Sequence, residues 1–451
     1  MTKRKLLTSV ICLLLMFSLV FVACDGDDGD DMIPQATTQP TERTEATTAA
    51  TQPPMVNATN LQPTILARNT NRVLSRLDPP LTVNIDDETT IDLKYQGWPT
   101  ICKGEGSTLY AAASARVLHV DPFGVVVFYE SHDNGATWSE PKIIVDSPID
   151  DRDAGIVYMG EGRILVSWFT NDGQSYIDGD LSSWRDNSKI TDEQEKAYVK
   201  SFNKLPAEER QAGSYVMLSE DYGKTWGEPV AVPITAPHGP SLAQDGRTLI
   251  YFGTPQNTSL GGFSNFRGGN LYVIKSIDYG KTWQHMATLP NPQYNYTYCE
   301  PHAIQLTDGT YLGAIRVHTN VGANDGMSVY ITRSQNGRDW TTSKPMDMEK
   351  ALGGPPHLLQ LKSGVVLLTY GYREDPCGTR YRLSYDGGKT WGEEVILCKS
   401  DTPKNGDLGY PSTIELDDGT LITAYYQYFR SDSYASFLYT KWTLTEAGAT
   451  S

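Results

Sequence analysis
Six short segments carry reactive side-chain types at one repeating position. They are Trp98-Pro99-Thr100, Asp153-Ala154-Gly155, Ala236-Pro237-His238, Glu300-Pro301-His302, Pro355-Pro356-His357 and Tyr410-Pro411-Ser412. Each opens a short apolar strand that leads to a turn glycine: Gly106, Gly162, Gly246, Gly309, Gly364 or Gly419. In this register the first residues are Trp98, Asp153, Ala236, Glu300, Pro355 and Tyr410, and the third residues include His238, His302 and His357. A glutamate and a tyrosine converging at one mouth suggest proton transfer or nucleophilic work; the plainer reading is rim residues bonded to neighbouring loops. The histidines share a register and so invite a metal-site reading. Sheets packed face to face lie ~10 Å apart, however, which predicts neutral histidines bonding substrate hydroxyls or backbone, and no metal.

The spacing of these starts identifies the elements that must position them. Successive starts lie 55, 83, 64, 55 and 55 residues apart, and self-similarity at such a period signals a propeller or solenoid. A second repeat falls within the units. Ser131-His132-Asp133-Asn134-Gly135-Ala136-Thr137-Trp138 recurs as S-x-D-x-G-x-T-W at Ser219–Trp226, Ser276–Trp283 and Ser384–Trp391, with a worn copy at Ser334–Trp340. Its residues are those of a hairpin turn: Asp accepts backbone N–H groups, Gly takes positive φ and Trp packs beneath. These acids are therefore read as structural, not as catalytic or calcium-binding groups. The expected fold is all-β, a six-bladed β-propeller over residues 65–451, with the first strand of every blade lining the channel. An N-terminal strand, Leu81 to Leu93, is expected to complete the sixth blade. Ile190 to Ala212 is rich in Glu, Lys and Ala and predicts a short helical insertion in blade 2, as a lid on the mouth or a surface ornament.

Composition narrows the partners. Lys and Arg number 38 against 54 Asp and Glu, a net charge of −16. That balance argues against nucleic acid, which needs a basic face, and leaves an anionic ligand to a few local cations. Lys3-Arg4-Lys5 and the apolar run to Ala23 predict a signal peptide over residues 1–23. Phe21-Val22-Ala23-Cys24 resembles a bacterial lipobox and implies lipidation of Cys24. Residues 24–64, acidic and then Thr/Pro-rich, would form a flexible tether. The expected location is extracytoplasmic, anchored to the cell-surface membrane, as a monomer. Cys102, Cys299, Cys377 and Cys398 show no zinc-like spacing and are either free or paired.

The repeated octet resembles the Asp-box of the sialidase (neuraminidase) superfamily, and the likeness extends over about residues 90–445. Tyr410-Pro411-Ser412 with Asp418-Gly419 looks like the segment bearing that family's nucleophilic tyrosine. Glu300 with Arg316 is similar to its glutamate and second arginine, and Arg380 suits the third arginine, with Arg373 and Arg382 as rivals. Arg116 followed by Asp121 resembles the strand and loop of the acid/base aspartate. The resemblance implies a retaining exo-glycosidase without cofactor, with sialylated or other acidic glycans as substrate. Tyr410 would attack, Glu300 would activate it and Asp121 would transfer the leaving-group proton. Arg316 and Arg380 would fork onto the substrate carboxylate.

One departure bears on the substrate. The family opens its first blade with Arg-Ile-Pro, whereas this chain has Gly97-Trp98-Pro99. Arg116, Arg152 or His119 are the candidates to substitute, and Asp153, Trp98, His238, His302 and His357 complete the expected binding surface. Two other functions fit the missing arginine: a uronate-active polysaccharide lyase using Tyr410 or His302 as base, and a non-catalytic carbohydrate-binding lipoprotein.

Overall fold
The computed structural model describes residues 61–65, 72–178, 189–257, 266, 268–291, 296–319, 326–341, 344–345, 353–400, 406–429 and 432–446. The expected signal peptide, Cys24 and the tether up to residue 60 lie outside the described residues, as does the whole of a separate N-terminal unit over residues 1–51. No helix among the described residues is long and apolar enough to cross a membrane.

The described chain forms a six-bladed propeller of antiparallel sheets. Blade 1 runs Tyr95–Lys103, Leu109–Arg116, Val125–Ser131 and Lys142–Val145 from axis to rim. Blade 2 is Asp151–Tyr158, Ile164–Thr170, Gly213–Ser219 and Val230–Val232. In blade 3 the innermost strand is broken into Ile234–Thr235 and Ser241–Leu242, followed by Leu249–Pro255, Leu271–Ser276 and Gln284–Leu289. Blade 4 begins with Tyr296–Gln305, blade 5 with Gly353–Gln360 and blade 6 with Gly409–Glu415. Leu109–Arg116 is buried along its whole length, because blades cover both of its faces.

The core is a series of seams between consecutive sheets, as face-to-face packing requires. Tyr110, Val126 and Phe128 of blade 1 meet Ile156, Val166 and Trp168 of blade 2, and Leu306 and Leu312 of blade 4 meet Leu358 and Leu368 of blade 5. The Asp-boxes lie between third and fourth strands and fold as their chemistry predicts. Thr137 donates N–H to Asp133 Oδ1 at 2.9 Å and its hydroxyl to Oδ2 at 2.6 Å, and Gly135 N–H reaches Ser131 Oγ at 2.9 Å. The copies at Asp221, Asp278 and Asp386 repeat this bonding.

The sixth blade closes differently from expectation. Its long last strand, Ala435–Glu446, is flanked by Leu61–Ile65 and Arg72–Ser75, both antiparallel to it. Leu81–Asn84 and Thr90–Leu93 instead pair with each other as a hairpin outside the blade. The propeller thus takes in residues 61–64, which the sequence reading gave to the tether. The insertion in blade 2 contains α1 (Gly173–Asp178), α2 (Asp192–Phe202) and a 3₁₀ turn at Ala207–Arg210. Thr191 caps α2, with its hydroxyl accepting from Gln194 N–H while the Gln194 side chain returns to the Thr191 N–H. Tyr198 and Phe202 of α2 join the apolar cluster that includes Phe123, Ile91 and Leu93, and Gln194 Nε2 donates to Thr90 O at 2.8 Å. The insertion therefore buttresses the flank of blade 1.

Candidate active site at the propeller axis
A single backbone device builds the site. The innermost strands of blades 1, 2, 4, 5 and 6 lose register at one point, between Gly97 and Thr100, Arg152 and Gly155, Cys299 and His302, Gly353 and Pro356, and Gly409 and Ser412. In four of these bulges, those of blades 1, 2, 4 and 6, the equivalent residue has a positive φ: Trp98 at 53°, Asp153 at 51°, Glu300 at 46° and Tyr410 at 54°. Such conformations cost non-glycine residues about 1–3 kcal/mol each and re-aim a side chain out of the alternating pattern. Four blades thus present their bulge residue in one register. Blade 3 offers only Ala236 there, and blade 5 offers Pro355.

At the centre the Tyr410 hydroxyl donates to Glu300 Oε1, and Arg316 pairs with Oε2. Arg316 lies opposite Cys299 on the adjacent strand, which brings its guanidinium back to the neighbouring Glu300. Burial alone would raise the Glu300 carboxyl, but Arg316, the Tyr410 hydroxyl and the charge of Arg373 bring it below its ordinary value. Tyr410 moves the other way: burial, then Glu300 and Asp153, hold its phenol well above the usual range. The resting pair is an anionic carboxylate accepting from a neutral phenol. Asp153 is 6% exposed, and its Oδ1 lacks a hydrogen-bond partner among the described residues. Burial pushes its carboxyl up to about 7, with Arg152 opposing the shift.

Trp98 occupies blade 1's place at the axis and is 1% exposed. The Arg152 guanidinium lies 4.4 Å from its ring centroid and that of Arg116 lies 5.0 Å away. Arg152 also pairs with Asp150 at 3.5 Å and donates to His119 O at 3.3 Å. Beside Trp98, Asp407 collects hydrogen bonds from Tyr95 Oη at 2.9 and 3.0 Å, Tyr426 Oη at 3.0 Å and His119 Nδ1 at 2.8 Å.

Several expected roles change. Asp121 has no exposed side-chain surface: it accepts N–H groups from Leu118 and Phe123 at 2.8 Å and pairs with Arg116 Nε at 3.3 Å. It holds Arg116 and cannot meet a leaving group. Arg116 is equally enclosed, with Asp150 Oδ1 at 2.8 Å from it, so it does not substitute for the missing arginine. Arg380 is directed away from the site, donating to Pro376 O and lying 3.6 Å from Glu394, while Arg382 bonds Tyr370 Oη and Gly392 O. Arg373 is the arginine at the site: it donates to Leu408 O at 3.1 Å and Tyr426 Oη at 3.5 Å, and its charge acts on Glu300 and Asp407.

The histidine expectation was wrong in distance. Innermost strands converge at the axis, so the rings of His238, His302 and His357 lie 4.5–5.7 Å apart. All three are nearly buried. His302 Nδ1 accepts Leu358 N–H at 3.0 Å, His357 Nδ1 accepts Thr413 N–H at 3.4 Å, and His238 Nδ1 meets Thr100 Oγ1 at 3.2 Å. Burial keeps them neutral, with His302 pushed down to about 3. They stitch blades together below the site. The four described cysteines are free.

Asp407, Tyr95, Tyr426 and Asp150 were missed by sequence reasoning. Asp407 had one legible signal: it lies three residues before Tyr410, where the chain enters an innermost strand.

The model of the BNR repeat-like domain family matches residues 197–423. A solved protein of unknown function from Dyadobacter fermentans DSM 18053 superposes with a TM-score of 0.59 at 20% identity, covering 84% of this chain and 100% of that one. The NanB sialidase of Streptococcus pneumoniae gives 0.54 at 12% identity, covering 78% and 68%. The intramolecular trans-sialidase of Ruminococcus gnavus gives 0.52 at 12% identity, covering 78% and 95%. At these identities the likeness is one of fold. No curated protein sequence matches the chain.

Proposed function
The chain belongs to the BNR repeat-like domain family, and from that premise we propose that it is a retaining exo-glycosidase acting on a terminal acidic sugar, sialic acid or a close relative. The observation that carries the reading is the hydrogen bond from the Tyr410 phenol to the Glu300 carboxylate, made at the axis by residues 110 apart in sequence.

That pair suits a substrate whose anomeric carbon bears a carboxylate. An anionic nucleophile would be repelled, whereas a phenol approaches neutral and passes its proton to an adjacent base as it attacks. Arg316 and Arg373 are the cations available to the substrate carboxylate. When that carboxylate takes up part of Arg316, Glu300 loses some of the charge that depresses it and becomes a stronger base. Substrate binding thereby arms the pair. The arginine replaced by Trp98 would have added ~1.5–3 kcal/mol of charge-assisted bonding, so the reading implies weak ground-state binding. The partner is a glycan, and lipidation of Cys24 would hold the enzyme at the outer face of a membrane.

The test is incubation with fluorogenic sialosides and a panel of acidic glycans, with the first product followed by NMR. Free sugar released with retained anomeric configuration is expected, and Tyr410→Phe should lower turnover by at least about 10³-fold while binding persists. Wild-type-like turnover in that variant removes the tyrosine mechanism, and unsaturated products absorbing in the ultraviolet assign the site to a lyase instead.

A further inference from the structure
With Asp121 enclosed, the site needs another group to protonate the leaving oxygen. We propose that His119, oriented by Asp407, is the catalytic acid/base, a role that rests on the glycosidase reading above.

The geometry is that of an oriented imidazole at the mouth. His119 follows blade 1's second strand and is 43% exposed in its side chain, against 0% for Asp121. Its ring packs edge-on to Trp98, with centroids 5.3 Å apart, and the Tyr410 ring packs on the same indole at 6.3 Å. Nδ1 faces Asp407 at 2.8 Å and Tyr95 Oη at 3.0 Å. Nε2 has no hydrogen-bond partner among the described residues and is left for substrate. Arg152 donates to the His119 carbonyl, fixing the backbone, and Arg116 lies beyond the indole.

Asp407 is built to remain a carboxylate. Burial would raise it, but His119, Arg373 and the Tyr95 hydroxyl bring it below its ordinary value. Tyr95 and Tyr426, whose phenols burial holds well above the usual range, stay protonated and donate to it. An anionic Asp407 therefore accepts from Nδ1–H and leaves Nε2 as the atom that exchanges a proton with substrate. The arrangement repeats the logic of a carboxylate orienting a histidine.

Proton and electron counts close over both steps. In the first, a bond forms between Tyr410 Oη and the anomeric carbon, and the phenolic proton passes to Glu300. The glycosidic bond breaks, its electron pair stays on the leaving oxygen, and that oxygen takes the proton from His119 Nε2. In the second, water attacks the anomeric carbon and gives a proton to His119 Nε2, while Tyr410 Oη departs with its electron pair and recovers the proton from Glu300. The sum is hydrolysis, with all three residues returned to their starting states.

The experiment compares kcat/KM for an aryl sialoside, whose leaving group needs little protonation, with that for sialyllactose. His119→Gln should reduce the sialyllactose value by about 10²–10⁴-fold and the aryl value by less than about tenfold, and should erase the basic limb of the wild-type pH profile. Asp407→Asn, which removes the carboxylate that orients Nδ1, should lower the sialyllactose value far more than the aryl value, and Asp407→Glu should restore most of the loss. Equal losses on both substrates, a basic limb that persists in His119→Gln, or leaving-group dependence appearing in Asp153→Asn instead would overturn the assignment. A wild type inactive on both substrates would refute the glycosidase reading, whereas an active wild type with an undiminished His119→Gln variant would refute the histidine assignment alone.

Discussion

Replacing Trp98 with arginine, the residue that sialidases carry at this place, should weaken the protein without restoring a carboxylate clamp. Trp98 is almost wholly buried and touches two guanidiniums, at 4.4 and 5.0 Å from its ring. Trp98→Met keeps apolar bulk but loses ring packing and two cation–π contacts of about 1 kcal/mol each, within the ~3–5 kcal/mol typical of large core truncations. Trp98→Arg loses the same contacts and adds a third cation. At about 5 Å and an effective dielectric of 20, each like-charge pair costs on the order of 3 kcal/mol. Two such pairs arise, and the nearby Asp153 offsets roughly one, leaving an extra cost of about 3 kcal/mol. Both variants carry a side chain at the same positive φ, so backbone strain cancels between them. With ~2.1 cal/mol/K of unfolding entropy per residue over the unit spanning residues 52–451, that cost corresponds to a Tm about 4 °C below Trp98→Met. Calorimetric melts at low salt measure the difference, and titration calorimetry with an acidic sugar measures binding. A Trp98→Arg protein that melts at or above Trp98→Met and binds the sugar more tightly than wild type would refute the reasoning. The axis would then hold a vacant arginine site instead of an occupied one.

Arg316→Gln tests the central pair by pH. Glu300 is depressed in the fold, so its stabilising contribution is present above its unfolded value, near 4.5, and is lost as pH falls through the folded value. Removing Arg316 raises the folded value, so the acid-unfolding midpoint and the acid limb of kcat/KM should both move to higher pH; an unmoved acid limb would remove Glu300 as the base. Gly155→Ala tests the seam beside Asp153. The added Cβ would lie 2.4 Å from Gly239 N and 2.5 Å from Ser167 Oγ, and overpacking of about 1–3 kcal/mol should lower the Tm by a few degrees and reduce turnover. Wild-type stability in that variant would contradict the close approach of blades 2 and 3.

What the sequence revealed follows from the range of the interactions concerned. An Asp-box closes on itself within eight residues, so its residue types announce its structure. The innermost starts were legible for the same reason, since each bulge is set by its own strand and the turn after it. The pairings that failed to show are those made through space. Asp121 and Arg116 sit in a suitable order for a family site, yet Asp150, 34 residues beyond Arg116, locks the arginine inside. Asp407 and His119 are 288 residues apart, and nothing local to either predicts the other. Arg373 and Arg380 are both close to the expected register, and only the strand's geometry separates the one at the axis from the one against Glu394. The histidine spacing failed because ~10 Å describes sheets packed along their faces, not strands converging at an axis.

The repeated bulge separates scaffold from chemistry. Because the same positive-φ residue recurs in blades 1, 2, 4 and 6, the backbone presents whatever side chain occupies that place, and it does so at a fixed height. In blade 1 that place holds Trp98, a ring against which two guanidiniums lie. The consequence propagates: Arg116 and Arg152 are held by Trp98 and Asp150, and His119 is packed beside the same ring with its Nδ1 on Asp407. The fold is thus shared with a solved sialidase at 12% identity, while the side chains at this axis are read from this chain alone. Arg316 and Arg373 are arginines whose charge acts on Glu300, and under the proposed reading the substrate's carboxylate would draw on both and so act as the switch for its own nucleophile.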